Sequence, residues 1–203
     1  MSAAPGRIVI LNGAPRAGKS SIAAAMQATM AGIWINLGVD AYALATPANL
    51  APGIGLRPGG ERPDLEPHLP RLYAALYDSI AAHARLGLNV VADLGHHDDY
   101  ATPLGMLPDC ARRLAGLPVL FVGVLCPLET IMARRNADPQ HYVSGEGVPD
   151  PVQRWQDAVH QPGIYDLTVD SSVLTPGESA TLIRKALDAG PSRPTAFERL
   201  AQK

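Results

Sequence analysis

Cysteine is scarce. Cys110 and Cys126 are the only two in 203 residues, too few for a disulfide framework and without a CxxC pair, so both read as small core residues in a protein of a reducing compartment. Long apolar runs are missing as well: the longest, residues 117–128, contains Pro118 and Pro127 and falls short of the ~20 residues that cross a bilayer. No membrane span is expected. Nor does one sign of charge dominate. Seventeen Lys and Arg against 19 Asp and Glu leave a net charge of −2, and with no basic cluster neither a nucleic-acid footprint nor a polybasic membrane anchor is expected. Ahead of Gly13 there is no charged segment followed by an apolar one, so no cleaved signal is expected and the cytoplasm is the expected location.

What is present fits an ordinary globular protein. Apolar residues make up 47% and charged residues 18%, which argues against a disordered chain or a coiled coil, and the length suits a single domain. We expect that domain over residues 1–190, with 191–203 as a loosely packed C-terminal tail. Nineteen glycines and 19 prolines foretell long functional loops. Six of those prolines and four of the glycines fall in residues 46–70, which lack periodicity and read as a loop without secondary structure.

Five short apolar runs read as strands: residues 7–11, 33–37, 88–92, 118–126 and 167–170. Helical patterns fall between them, at 19–30, 71–86, 128–136 and 152–159, with a weaker one at 98–115 and a short one after Asp40. The last helix is the best delimited, because Thr175, Pro176 and Glu178 form a capping box. Strands alternating with helices predict an α/β fold, a five-stranded parallel sheet with helices on both faces. In such sheets ligands lie beyond the carboxyl ends of the strands. Those ends carry Asn12-Gly13, Gly38-Val39-Asp40, Asp93 to Asp99, Cys126-Pro127 and Asp170-Ser171.

The first of these ends opens a P-loop. Gly13-Ala14-Pro15-Arg16-Ala17-Gly18-Lys19-Ser20, with Ser21 following, fits GxxxxGK[ST], the Walker A pattern, and it sits between a strand and a helix as that motif requires. Its backbone N–H groups and the helix N-terminus would hold the phosphates of ATP, Lys19 would reach the β- and γ-phosphates, and Ser20 would ligate Mg²⁺. Asp93, closing an apolar strand, has the position of a second Mg²⁺ carboxylate. Asp40 lies on the same edge as a candidate general base for an acceptor hydroxyl; an N-cap for residues 41–45 is a compatible role. Arg134 and Arg135 precede a polar loop, and residues 134–151 suit a lid delivering a cation to the transferring phosphoryl group. His96-His97-Asp98-Asp99 reads better as an acceptor-pocket loop than as a metal site, since adjacent histidines rarely share one ion and no third ligand has zinc-like spacing. Trp34, Tyr42, Tyr73, Tyr77 and Tyr100 are candidates to line that pocket, although Tyr73 and Tyr77 also suit a helix packing face.

Neither an [NT]KxD nor a DxxG string occurs, which excludes a Ras-type GTPase, and the chain is short for ABC or AAA-type ATPases. A P-loop NTPase fold of nucleotide-kinase type remains. The segments Ile8 to Gly13, the P-loop through Ser21, Gly38-Val39-Asp40, Val90 to Asp93, Val122 to Cys126, Arg134, Val159-His160 and Tyr165-Asp166 through Val169-Asp170 resemble chloramphenicol phosphotransferase and its relatives. The resemblance implies transfer of the ATP γ-phosphate to a hydroxyl of a small molecule such as an antibiotic, with Asp40 as base and Arg134 as lid arginine. Residues 46–70, residues 96–99 and the chain beyond Arg134 depart from the family pattern, so chloramphenicol itself does not follow. The alternative is a nucleotide-binding switch or weak NTPase, which needs no acceptor-side base at Asp40.

Overall fold

A computed structural model describes residues 4–138 and 147–203. Five strands, β1 (Ile8–Asn12), β2 (Trp34–Asn36), β3 (Asn89–Leu94), β4 (Val119–Leu125) and β5 (Leu167–Asp170), pair in parallel in the order β2-β3-β1-β4-β5. β1 is central because all five of its residues are buried, which only a strand covered on both faces can satisfy. Its side chains alternate between two apolar layers. Ile8 and Ile10 pack with α3 (Leu69–Arg85), α4 (Met106–Arg113) and α8 (Ala196–Ala201), whereas Val9 and Leu11 pack with α1 (Lys19–Thr29), α5 (Leu128–Asn136), α6 (Asp150–Ala158) and α7 (Pro176–Ala189). The remaining helix, α2 (Val39–Ala45), buries none of its residues and lies beside the carboxyl end of β2. The register sets Leu11 beside Asp93 and Asn12 beside Gly123, so the ends of β1, β3 and β4 meet at one edge. Among the described residues no helix is long and apolar enough to cross a membrane.

The expected α/β fold is therefore found, with several local corrections. Residues 46–70 are structured: three 3₁₀ turns, Ala48–Leu50, Gly53–Gly55 and Glu66–His68, interrupt them, and Ile54, Leu56 and Leu65 are buried under α3. These apolar residues insert singly, so no period announces them. The segment expected to be weakly helical over 98–115 has an ordered start instead, in which the Asp98 carboxylate accepts the N–H groups of Leu104 and Gly105. Helix α4 follows, with Pro108 in its first turn, where no backbone donor is needed. β3 runs one residue past Asp93, which lies within the strand. The expected loose tail is also overturned: α8 carries a Thr195–Glu198 capping box and buries Phe197 and Leu200, with Phe197 edge-on to Phe121 at 5.1 Å between ring centroids. Of the expected lid over 134–151, residues 139–146 lie outside the described residues.

Candidate active site

The turn from β1 into α1 is shaped by two glycines for different reasons. A Cβ on Gly13 would fall 2.5 Å from the Val124 carbonyl oxygen, so only glycine lets the turn lie against β4. Gly18 caps α1 in the left-handed conformation at φ 87°. Between them Arg16 has φ 67°, the only positive value at a non-glycine among the described residues. Alternating right- and left-handed residues are the backbone geometry of an anion-holding nest.

This turn forms one wall of a cleft of about 890 Å³, closed by α2, the end of β3 and the segment between β5 and α7. Lys19 lies across its floor, with Nζ donating to the carbonyls of Gly13 and Ala14 at 2.8 and 2.9 Å. Burial lowers its pKa to about 8, against the opposing pull of Asp93 and Asp40. Ser20 Oγ donates to Asp93 Oδ2 at 2.5 Å. Asp93 is buried, and burial raises its carboxyl above the usual range; the Ser20 bond and the Lys19 charge oppose the shift, while Asp40 adds to it. A hydroxyl and a carboxylate in contact are hard oxygen donors. They fit Mg²⁺, which takes one or two carboxylates and fills its octahedron with water and phosphate oxygens.

Asp40 also lines the cleft. It does not cap α2: Gly38 holds the N-cap position, and Asp40 sits inside the first turn without a side-chain capping bond. The Asn36 side chain accepts the Gly38 N–H at 3.0 Å, and the Asp40 carboxylate makes no capping bond to the helix backbone. Gly38 presses on the site directly, since a Cβ there would fall 1.5 Å from Asp93 Oδ1.

Of the two candidate lid arginines, Arg134 lines the cleft and Arg135 does not. Arg134 reaches back from the last turn of α5 to bind several groups at once. Its Nη1 donates to the Arg16 carbonyl, to Ser171 Oγ and to Cys126 Sγ, and its Nη2 donates to the Ser171 carbonyl. It thereby ties the P-loop to the end of β5.

The histidine pair stands behind the cleft wall. His96 shares a 2.7 Å hydrogen bond with the Tyr77 hydroxyl, and burial pushes its pKa down to about 3. His97 bonds the Leu56 carbonyl and packs edge-on to Trp155 at 4.9 Å. It is Trp155, with Ile54, Leu94 and Gly95, that faces the cleft. Among the described residues no three His, Cys, Asp or Glu side chains are grouped to hold a metal. The expected aromatic lining is likewise displaced, because Trp34, Tyr73, Tyr77 and Tyr100 are buried in the apolar layers and Tyr42 packs against one of them. Asn12 was a strand-end residue without an assigned task. Its Nδ2 donates to the Val159 carbonyl and the Tyr165 hydroxyl at 2.8 and 2.9 Å, and its Oδ1 accepts the His96 N–H at 2.6 Å, so one side chain fixes the loops after β3 and α6.

Known proteins share this architecture. An APS kinase of Mycobacterium tuberculosis, solved in complex with AMPPNP and APS, superposes with a TM-score of 0.60 over 92% of this chain and 99% of its own, at 17% identity. An unliganded sugar kinase from Janibacter gives 0.60 over 91% and 95%, at 19% identity. Likeness at these identities is likeness of fold, and the fold is that of the P-loop kinases. In sequence, a Mycobacterium tuberculosis protein named "Putative O-phosphotransferase" is 29% identical over 212 residues, covering 98% of this chain and 89% of that one. The model of the chloramphenicol phosphotransferase-like proteins matches residues 6–188. Because that match runs from just before β1 almost to the end of α7, taking in every strand and the whole cleft edge, the chain belongs to the chloramphenicol phosphotransferase-like family.

Proposed function

We propose that the protein is an ATP-dependent phosphotransferase that moves the γ-phosphate to a hydroxyl of a small molecule. The family and the kinase fold support a phosphotransferase acting on a small molecule; the finer reading rests on one observation. The Asp40 carboxylate lines the same cleft as Lys19, Ser20 and Asp93, close enough for its charge to bear on the titration of both Lys19 and Asp93. A nucleotide switch needs no acceptor-side base, whereas an acceptor hydroxyl needs a carboxylate there to take its proton.

In this reading residues 13–21 hold the triphosphate, and Lys19 exchanges its two carbonyl partners for β- and γ-phosphate oxygens. Arg134 presents a fixed positive charge beside the P-loop where charge is redistributed during transfer. Ser20 and Asp93 would hold Mg²⁺, which when bound neutralises charge on the phosphate oxygens. Asp40 takes the proton from the acceptor hydroxyl as its oxygen attacks the γ-phosphorus, and the bond from that phosphorus to the β–γ bridging oxygen breaks to release ADP. Ile54, Leu94, Gly95 and Trp155 exclude water beside it. Phosphoryl transfer asks for little else, since its catalysis is mostly positioning and electrostatic stabilisation. Residues 46–70 contribute Ile54 and Gly55 to the cleft, and with residues 96–99 behind its wall they depart from the antibiotic-kinase pattern, so the acceptor is to be sought widely. The test is a transfer screen with ATP and Mg²⁺ over hydroxylated metabolites and antibiotics, chloramphenicol among them, with Lys19→Ala as the blank. A phosphorylated product made only by the unaltered protein is expected. ATP hydrolysis unaffected by every acceptor would favour the switch.

A further inference from the structure

We infer that the side chain of Arg16 is itself a ligand of the nucleotide phosphates, which deepens the kinase reading above and rests on it. Among the described residues three cations line the cleft: Arg16, Lys19 and Arg134. Two are engaged by neutral acceptors of the scaffold, Lys19 by the Gly13 and Ala14 carbonyls and Arg134 by Arg16, Ser171 and Cys126. Arg16 differs. Its guanidinium is paired with Asp138 at 2.9 Å, and the two side chains are 31% and 36% exposed. An ion pair so open to solvent is weak and readily rearranged. Nη1 faces Asp138, and a guanidinium has five N–H donors in a planar fork, the geometry that grips phosphate in two places.

The backbone supplies a second, independent observation. A non-glycine residue held at φ 67° is strained, and such strain persists where the surroundings over-determine it, typically at ligand clamps. Here the over-determining contact is visible: Arg134 Nη1 donates to the Arg16 carbonyl at 3.2 Å, fixing the backbone from which the side chain leaves. A glycine would occupy this conformation at no steric cost, so the side chain, rather than the turn, accounts for arginine at this position. Asp138, reached from beyond the end of α5, holds the guanidinium at 2.9 Å and competes with phosphate for it.

The test is calorimetric binding of ATP, ADP and adenosine to the full chain, with Arg16→Asn, Arg16→Lys and Asp138→Asn. Asparagine tolerates the left-handed conformation, so Arg16→Asn removes the charge and keeps the loop; melting curves check the fold. Affinity for ATP is expected to fall by about tenfold or more, the least that a hydrogen bond to a charged group supplies. Adenosine affinity should hold, and the salt dependence of ATP binding should weaken. Arg16→Lys should restore part of the loss, and Asp138→Asn should keep or raise ATP affinity because the phosphate ligand is intact and a repelling carboxylate is gone. If Arg16→Asn binds ATP within about twofold of the unaltered protein, or if Asp138→Asn reproduces its loss, Arg16 serves only its ion pair and the inference falls. If the unaltered protein binds neither ATP nor ADP, the kinase reading fails first and takes this inference with it.

Discussion

Replacing Gly38 by alanine tests the packing at the metal-side carboxylate. Gly38 has φ −79° and ψ −175°, a conformation open to any residue, so alanine adds no backbone strain and the whole effect is steric. Its Cβ would fall 1.5 Å from Asp93 Oδ1, 2.7 Å from Cγ and 3.0 Å from the backbone nitrogen. A non-bonded contact needs about 3.5 Å, so the carboxylate must move by roughly 2 Å. It can do so only by leaving Ser20 Oγ. Overpacking of this kind costs about 1–3 kcal/mol, and the lost charged hydrogen bond about 1.5 kcal/mol or more. At about 2–4 °C per kcal/mol for a chain of this size, the melting temperature should drop by roughly 5–18 °C. The Mg²⁺ requirement of turnover should rise more steeply than the KM for ATP, since the P-loop is untouched. A double-mutant cycle with Asp93→Ala separates clash from accident: truncation at Cβ removes both the Oδ1 and the Cγ obstacle, so Gly38→Ala should cost much less stability in that background. A Gly38→Ala protein with unchanged melting temperature and unchanged Mg²⁺ dependence would refute the packing and the metal role together.

Further outcomes follow from individual groups. Burial sets Lys19 near 8 against its usual 10.5; between those values the unfolded chain holds one more proton than the folded one, so this lysine makes stability rise with pH across that window. Over the same window ATP affinity should fall, by up to about tenfold per pH unit, as the folded protein loses the charge; an affinity flat to pH 9.5 in titration calorimetry would contradict the placement of Lys19. Asp93→Asn should weaken Mg²⁺ dependence more than nucleotide affinity measured without metal, and equal losses in both would point to a structural role. Phe197→Ala should cost on the order of 3 kcal/mol by denaturant titration if α8 is part of the core, whereas a frayed tail would lose under about 0.5 kcal/mol.

Local signals carried most of the fold. The Thr175–Glu178 box marked α7, and the apolar runs ended by Asp93 and Asp170 marked two strands, because periodicity and capping are short-range properties that a chain displays without its partners. The P-loop was legible for the same reason. Where contacts are long-range, nothing local announced them. Asn12 bonds residues 84 to 153 positions away, and Arg16 meets Asp138 across 122. Ile54, Leu56 and Leu65 are spaced by prolines and glycines, so neither a period of two nor one of 3.6 could reveal that they are buried. The histidine pair misled through composition: two imidazoles at a strand end suggest a pocket, but His96 finds its partner in Tyr77, a residue that suited a pocket lining and a helix packing face alike. One signal was present and went unread. Thr195-Ala-Phe-Glu198 has the capping-box pattern that identified α7, but it follows Pro191 and Pro194 near the end of the chain, where fraying was expected.

Proton removal from an acceptor hydroxyl by Asp40 is open to a direct test in single-turnover transfer. Asp40→Asn keeps the shape of the side chain and removes the base, and with the helix cap supplied by Gly38 it should leave stability almost unchanged. Single-turnover transfer from ATP to the acceptor found in the screen should then slow by roughly 10²–10⁴, the usual worth of a positioned acid–base group, while ATP affinity on the same sample stays near that of the unaltered protein. A stable Asp40→Asn protein that phosphorylates its acceptor at close to the unaltered rate would contradict the account.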